Sequence, residues 1–158
     1  MNAALLDLYS DFLILNDRYA TATSLSAMTG QAISHDSITR FLSEEEFGDA
    51  QLWKIVKPHL RKVENEDGVL IGDDSIAGKP YMDENDIVGW YFDHSKGRSV
   101  KGINVMSVLY EVNGISFPLS LRLVHKGKNG KPEEGKNEMF RQAIHQAIRN
   151  QVKFKYVL

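Results

Sequence analysis

Two adjacent carboxylates, Asp73 and Asp74, follow directly on the apolar run Val69-Leu70-Ile71 and Gly72. Such a short unbroken run fits a strand buried on both faces, and acids at its carboxyl end stand where open α/β sheets place functional groups. Acids so placed can hold a hard divalent cation through oxygen, or can simply leave the strand in an Asx-type turn. Because side chains alternate along a strand, the two point to opposite sides and only one looks into a given site. The 158 residues include no cysteine, which excludes disulfides, thiolate zinc sites and cysteine nucleophiles together. Any metal must sit on oxygen or imidazole, which favours magnesium or manganese. The five histidines, His35, His59, His94, His125 and His145, show no paired ligand spacing, and none is assigned to a metal.

A basic stretch, His94, Ser95, Lys96, Gly97, Arg98 and Lys101, lies shortly after the acids. It can grip nucleic-acid phosphates or form a solvated loop. Trp90, Tyr91 and Phe92 precede it and can stack on a base or enter a core. Residues 1–93 carry 7 Lys+Arg against 17 Asp+Glu, a balance of −10, while residues 94–158 carry 12 against 4, a balance of +8. That asymmetry fits nucleic-acid contact along one face, or two halves that neutralise each other.

The elements that must position these residues change character near residue 65. Before it the periodicity is helical. Leu5, Leu8, Phe12 and Leu15 trace one stripe, ending at Asn16-Asp17. A second helix is predicted from about Thr21 to Met28, with Gly30 in the turn, and a third, His35 to Leu42, is capped by Ser34 and buries Ile38, Phe41 and Leu42. Helix, glycine turn, helix is the helix-turn-helix outline, which makes His35, Ser37, Thr39 and Arg40 outward residues able to meet phosphates or base edges. An ordinary helical hairpin has the same spacing, and the run Glu44-Glu45-Glu46 repels phosphate. Ser43 with Glu46 reads as a capping box for a fourth helix, whose inward residues are Leu52, Ile55 and Val56 and which Pro58 interrupts. The turn cluster Asn65-Glu66-Asp67-Gly68 is the expected internal boundary.

After the strand at Val69, residues 79–102 read as an insertion or long loop with at most a short strand at Trp90 to Phe92. Ile103 to Val112 and Ile115 to Val124 form a hairpin about Asn113-Gly114. In its second strand Ile115, Phe117, Leu119, Leu121 and Leu123 alternate inward, and Pro118 makes it an edge. A helix over 137–152 should bury Phe140, Ala143, Ile144, Ala147, Ile148 and Val152, and Phe154 to Leu158 begins a last strand. The expected class is α+β or α/β.

The stretch LIGDDSIAGKPYMDENDIVGWYFDHSKGRSVKGINVMSVLY resembles the first catalytic block of insertion-sequence DDE transposases, in which an apolar strand ends in Asp-Asp-Thr or a close variant. Lys-Pro-Tyr, Asp-Glu-Asn, Asp-His-Ser-Lys-Gly-Arg and Val-Lys-Gly-Ile-Asn also match a subgroup of that family, at matched spacing over roughly forty residues. The similarity extends back through SHDSITRFL and the tryptophan helix, and forward to residue 158.

This resemblance implies a helical DNA-binding region at 1–65, followed at 66–158 by the first half of an RNase H-like mixed sheet. There the first three strands are antiparallel and the last lies parallel to the first. It makes Asp74, which precedes Ser75 where the family has threonine, the first metal ligand, with Asp73 the second choice. It also implies a two-metal mechanism of phosphodiester cleavage and strand transfer with Mg²⁺ or Mn²⁺. Lys96, Arg98 and Lys101 become contacts to transposon-end duplex DNA.

The family's second acid falls just after the fourth strand, so the resemblance implies a truncated chain, inactive alone and weak or lacking in metal binding. The alternative is a non-catalytic regulatory remnant that occupies transposon ends. A third reading is a small α+β interaction domain without nucleic acid. With no apolar run of membrane length and no signal peptide in Met1 to Leu15, the chain reads as cytoplasmic, and the resemblance adds nucleoid association and a possible homo-oligomer.

Overall fold

The computed structural model describes residues 2–17, 20–44, 48–126 and 132–158. The chain divides into two compact units, Met1–Glu46 and Phe47–Leu158. Among the described residues no helix is long and apolar enough to cross a membrane.

The first unit holds three helices, α1 (Ala3–Leu15), α2 (Ala22–Met28) and α3 (His35–Glu44). Each start is capped by a side chain: Asn2 Oδ1 accepts from the Leu5 N–H at 3.2 Å, Thr21 and Ser24 form a capping box, and Ser34, the cap expected for the third helix, accepts through Oγ from the Ser37 N–H at 3.2 Å. Leu5, Phe12, Leu25, Ile38 and Phe41 make the core, whereas Leu15, expected on the buried stripe, is exposed. The turn between α2 and α3 puts both Gly30 and Gln31 in the left-handed region, with φ of 61° and 63°. The Gln31 N–H closes it on the Ser26 carbonyl at 2.8 Å, which satisfies an orphan carbonyl of α2.

The second unit begins with α4 (Asp49–Leu60). This helix was expected to be capped by Ser43 and Glu46 and to stop at Pro58. Ser43 instead lies within α3, its hydroxyl donating to the Arg40 carbonyl at 3.0 Å, and α4 starts at Gly48, whose N–H is met by Gln51 Oε1 at 3.3 Å. Glu45, Glu46 and the loop 127–131 lie outside the described residues. Pro58 sits inside the last turn, and Val56 and Leu60 face inward while Ile55 is exposed. The compact units thus part after Glu46, and α4 packs with the sheet of the second unit.

That sheet has five described strands, β1 (Val69–Gly78), β2 (Val88–Asp93), β3 (Arg98–Val112), β4 (Ile115–Leu123) and β5 (Tyr156–Val157). On one side of β3 runs β1, antiparallel from Val69 opposite Glu111 to Gly78 opposite Gly102. On its other side β2 and β4 share the edge, β2 against Arg98–Ile103 and β4 against Val105–Val112. β5 lies parallel to β1, as the sequence suggests. The region expected as a loop at 79–102 is irregular only to residue 87; beyond it β2 and β3 form a second hairpin turned by Gly97 with φ 60°.

α4 and α5 (Lys136–Arg149) cover one face of this sheet. Val56, Leu60, Leu70, Tyr110, Val112, Leu119, Ala147 and Val152 form the main cluster, with Met106, Val124 and Met139 beside it. Ile148, expected inward, is exposed, and Met139 takes an inward place instead. The alternation expected for β4 fails halfway. A register irregularity at Val108/Leu109 leaves Leu119 without a partner, so one extra residue flips the faces that follow. Ser120 is buried, and Leu121 and Leu123 are exposed. Pro118, unable to donate, sits on this edge strand beside the irregularity.

Candidate active site

Asp74 does not close a strand, as the sequence suggested, but sits within one. β1 runs four residues beyond it, and Asp74 pairs with Met106 of β3. The outer edge of β1 is met by the last residues only as far as Gly72, whose N–H donates to the Leu158 carbonyl at 2.9 Å. Asp74 is therefore a mid-strand residue beside an open strand edge. Leu70, Gly72 and Asp74 share the face covered by α5, and Phe140 lies directly over Gly72, where any Cβ would strike its ring. This places the first residue of α5, Lys136, against the carboxylate.

Both donors to Asp74 land on the same oxygen. Lys136 Nζ forms an ion pair with Oδ2, and Asn104 Nδ2 donates to it at 3.3 Å. Among the described residues no hydrogen bond ends on Oδ1. The Lys136 hydrogen bond is the main cause holding the Asp74 carboxyl below its ordinary value of 3.8; partial burial opposes it, and Asn104 and the charge at His94 assist. Asn104 itself is fully buried, and its Oδ1 has no partner. A half-satisfied amide in a core costs roughly 1–3 kcal/mol, so its presence calls for a role beyond packing.

A groove of about 560 Å³ opens between the middle of β1 and the tip of the β2–β3 hairpin, lined by Asp73, Asp74, Phe92, Asp93, His94 and Lys96 among others. The acids around it are not equivalent. Asp73 alternates to the opposite side of β1, its carboxylate accepting from the Asp74 N–H at 2.9 Å. Asp93 is consumed by its own turn, accepting from Lys96 Nζ at 2.8 Å and from Ser95 Oγ at 2.6 Å. These bonds, Lys96 first and then Ser95, hold its carboxyl well below the usual range. No group of three or more His, Cys, Asp or Glu that could hold a metal ion occurs among the described residues. One half-exposed carboxylate carrying an ammonium does not match the six or more oxygens a hard divalent cation requires. The described residues therefore do not form a metal cage by themselves.

The residues expected to meet DNA fall in two places. His35, Ser37, Thr39 and Arg40 are all exposed on α3. Ser37 Oγ pairs with Ser34 Oγ at 2.9 Å, Thr39 Oγ1 donates to the His35 carbonyl at 2.9 Å, and His35 lies 3.1 Å from Asp36. Lys96 is held by Asp93 in the hairpin turn, while Arg98 and Lys101 stand on β3, opposite Asp93 and Trp90. The aromatic triplet splits. Tyr91 enters the core and donates to the Val124 carbonyl at 3.2 Å, whereas Trp90 and Phe92, on the other face of β2, are each 55% exposed.

Sequence reasoning missed Asn104 and Lys136. Asn104 had a signal: it is the one amide on the inward face of β3, among Met106, Val108, Tyr110 and Val112. Lys136 had none, since its place depends on how α5 crosses β1.

Neither curated proteins nor solved structures provide a match to this chain. The family described as DDE superfamily endonuclease matches it over residues 1–158. The acid pair, the hairpin motif and the asparagine that reaches the acid all fall within that match, and the chain belongs to the DDE superfamily endonuclease family.

Proposed function

We propose that this chain serves DNA transposition, as a DDE transposase polypeptide that binds duplex DNA at transposon ends and contributes Asp74 as the first carboxylate of the Mg²⁺- or Mn²⁺-dependent catalytic set. The observation that carries this reading is the setting of Asp74. Its Oδ2 is fixed by Lys136 and a buried Asn104, and its Oδ1, beside a groove, has no hydrogen bond among the described residues. The antiparallel pairing of β1 with β3 and the parallel pairing of β5 with β1 support an RNase H-like sheet, preceded by helical DNA-contacting residues His35, Ser37, Thr39 and Arg40. Lys96, Arg98 and Lys101 supply further phosphate contacts, which give salt-sensitive affinity without sequence readout.

Asp73 borders the groove but alternates away from Asp74 along β1, Asp93 is occupied by its turn, and no group of three acids able to hold a metal occurs among the described residues. The chain alone therefore binds ends without cutting them, and cleavage needs carboxylates from elsewhere. The family has metal-dependent chemistry to offer only once that set is complete. Fluorescence anisotropy with a labelled duplex over a series of salt concentrations tests the reading. Affinity should fall steeply as salt rises, and Arg40→Ala and Arg98→Ala should each lower it. An absence of duplex binding at low salt would overturn it.

A further inference from the structure

The β2–β3 hairpin carries a surface that neither folding nor the acid site explains. Trp90 and Phe92 are each 55% exposed on one face of β2, and His94 continues the row, its ring edge-on to Phe92 at 5.0 Å with a 75° interplanar angle. Alternate residues of a strand stand about 6.5–7 Å apart. That spacing suits successive bases of an extended single strand, and is about twice the rise of stacked duplex bases. Trp90 is held in place by a hydrogen bond from its indole N–H to Glu84 Oε1 at 3.0 Å, so the ring is oriented rather than loose.

Cations flank the row. Trp90 lines one concavity with Pro80, Arg98 and Lys101, while Phe92 and His94 line the groove that contains Asp74. Among the described residues Lys79, Arg98 and Lys101 make no ion pair, although Lys96 is held by Asp93. The acid of the hairpin turn, Asp93, is occupied by that turn; of the acids in the preceding segment, Glu84 is engaged by Trp90, Asp86 lies 3.8 Å from His125, and Asp83 stands beside them. Exposed aromatics interleaved with free cations are the chemistry of sequence-tolerant single-strand binding, in which bases stack and phosphates pair. Duplex DNA keeps its bases stacked on each other and cannot use such a row.

We propose that the open face of the β2–β3 hairpin is a binding platform for single-stranded DNA, on which Trp90 and Phe92 stack successive bases while Lys101, on the same face, and Arg98 at its rim hold the backbone. The proposal rests on the DNA-processing reading above, but its ligand is a separated strand rather than a duplex end.

The test measures anisotropy of a labelled 20-nucleotide single-stranded DNA, the duplex of the same sequence and the matching RNA, with the intact chain and with the double variant W90A/F92A. Both side chains are half exposed, and circular dichroism checks that the variant folds. Stacking is worth about 1–3 kcal/mol per base, so the variant should bind single-stranded DNA at least tenfold more weakly and the duplex within twofold of the parent. Trp90 fluorescence should be quenched as single-stranded DNA is added. Single-strand affinity unchanged by the variant, equal loss for both DNA forms, or tighter binding of RNA than of DNA would each overturn the platform. Failure of duplex binding alone would instead count against the end-binding function and leave the platform standing.

Discussion

Asn104 of β3 donates to Asp74 of β1 at 3.3 Å from a fully buried side chain whose own carbonyl oxygen has no partner. A leucine, which has the same heavy-atom branching with bulkier methyl ends, would bury apolar surface there and remove the orphaned acceptor. Asn104→Leu is therefore expected to leave stability unchanged or raise it by up to about 1–3 kcal/mol in urea denaturation. The cost should appear at Asp74, where three-bond couplings about χ1 should change from a single rotamer to an average. Destabilisation with an unaltered Asp74 rotamer would make Asn104 a packing residue.

Lys136 and Asp74 are both more than a third exposed, at 38% and 40%, so their ion pair is screened and worth at most about 1 kcal/mol. Asp74→Ala should accordingly be nearly neutral for duplex affinity, but it leaves the buried Asn104 Nδ2 without its acceptor, and a loss of about 1–3 kcal/mol of stability is expected. Denaturation curves and binding isotherms of the variant check both expectations. A large loss of DNA affinity would mean that Asp74 serves binding rather than chemistry.

A second relationship is structural. Asp49 at the start of α4 accepts from Ser120 Oγ at 2.9 Å, from the Leu121 N–H at 3.2 Å and from Arg122 at 3.0 Å, tying the helix to β4 where the register breaks. Asp49→Ala leaves a buried hydroxyl and a largely covered guanidinium without this partner. A loss of about 2 kcal/mol is expected in chemical denaturation. Gly72→Ala should cost a similar amount, about 1–3 kcal/mol, by forcing Phe140 and α5 off β1.

Acid should loosen the β2–β3 hairpin. Lys96, then Ser95, lowers the Asp93 carboxyl from its ordinary 3.8, so the folded state favours the ionised form. That contribution is present above the unfolded value and is lost as pH falls from about 3.8 through the lower folded value. Amide exchange in residues 93–98 should rise over that window in the parent. Asp93→Asn should show raised exchange at neutral pH and no further change.

How far the sequence could be read follows from range. The cap at Ser34, most of the helical stripes and the Asn113-Gly114 turn with φ of 53° and 78° depend on neighbours within a few residues, and these are where reading and structure agree. The errors lie where distant segments decide. β1 extends past Asp74 because β3 continues to pair with it, and β2 forms because Arg98–Ile103 offers an edge. Leu121 and Leu123 turn outward because one extra residue at Leu119 shifts the pleat, which no alternation pattern in β4 alone could announce. Asp74 stood out in its motif as a candidate, but Lys136 reaches it from 62 residues away in sequence, which no motif could announce.

The most direct test follows Mn²⁺-induced line broadening of backbone amide resonances in the isolated chain. A single available carboxylate oxygen should bind the ion weakly, in the millimolar range, and broaden Asp73 to Ser75 first, with the effect lost in Asp74→Asn. Broadening that survives Asp74→Asn, or that centres on Asp93 or on residues 83–86, would contradict the assignment of Asp74 as the metal-facing acid.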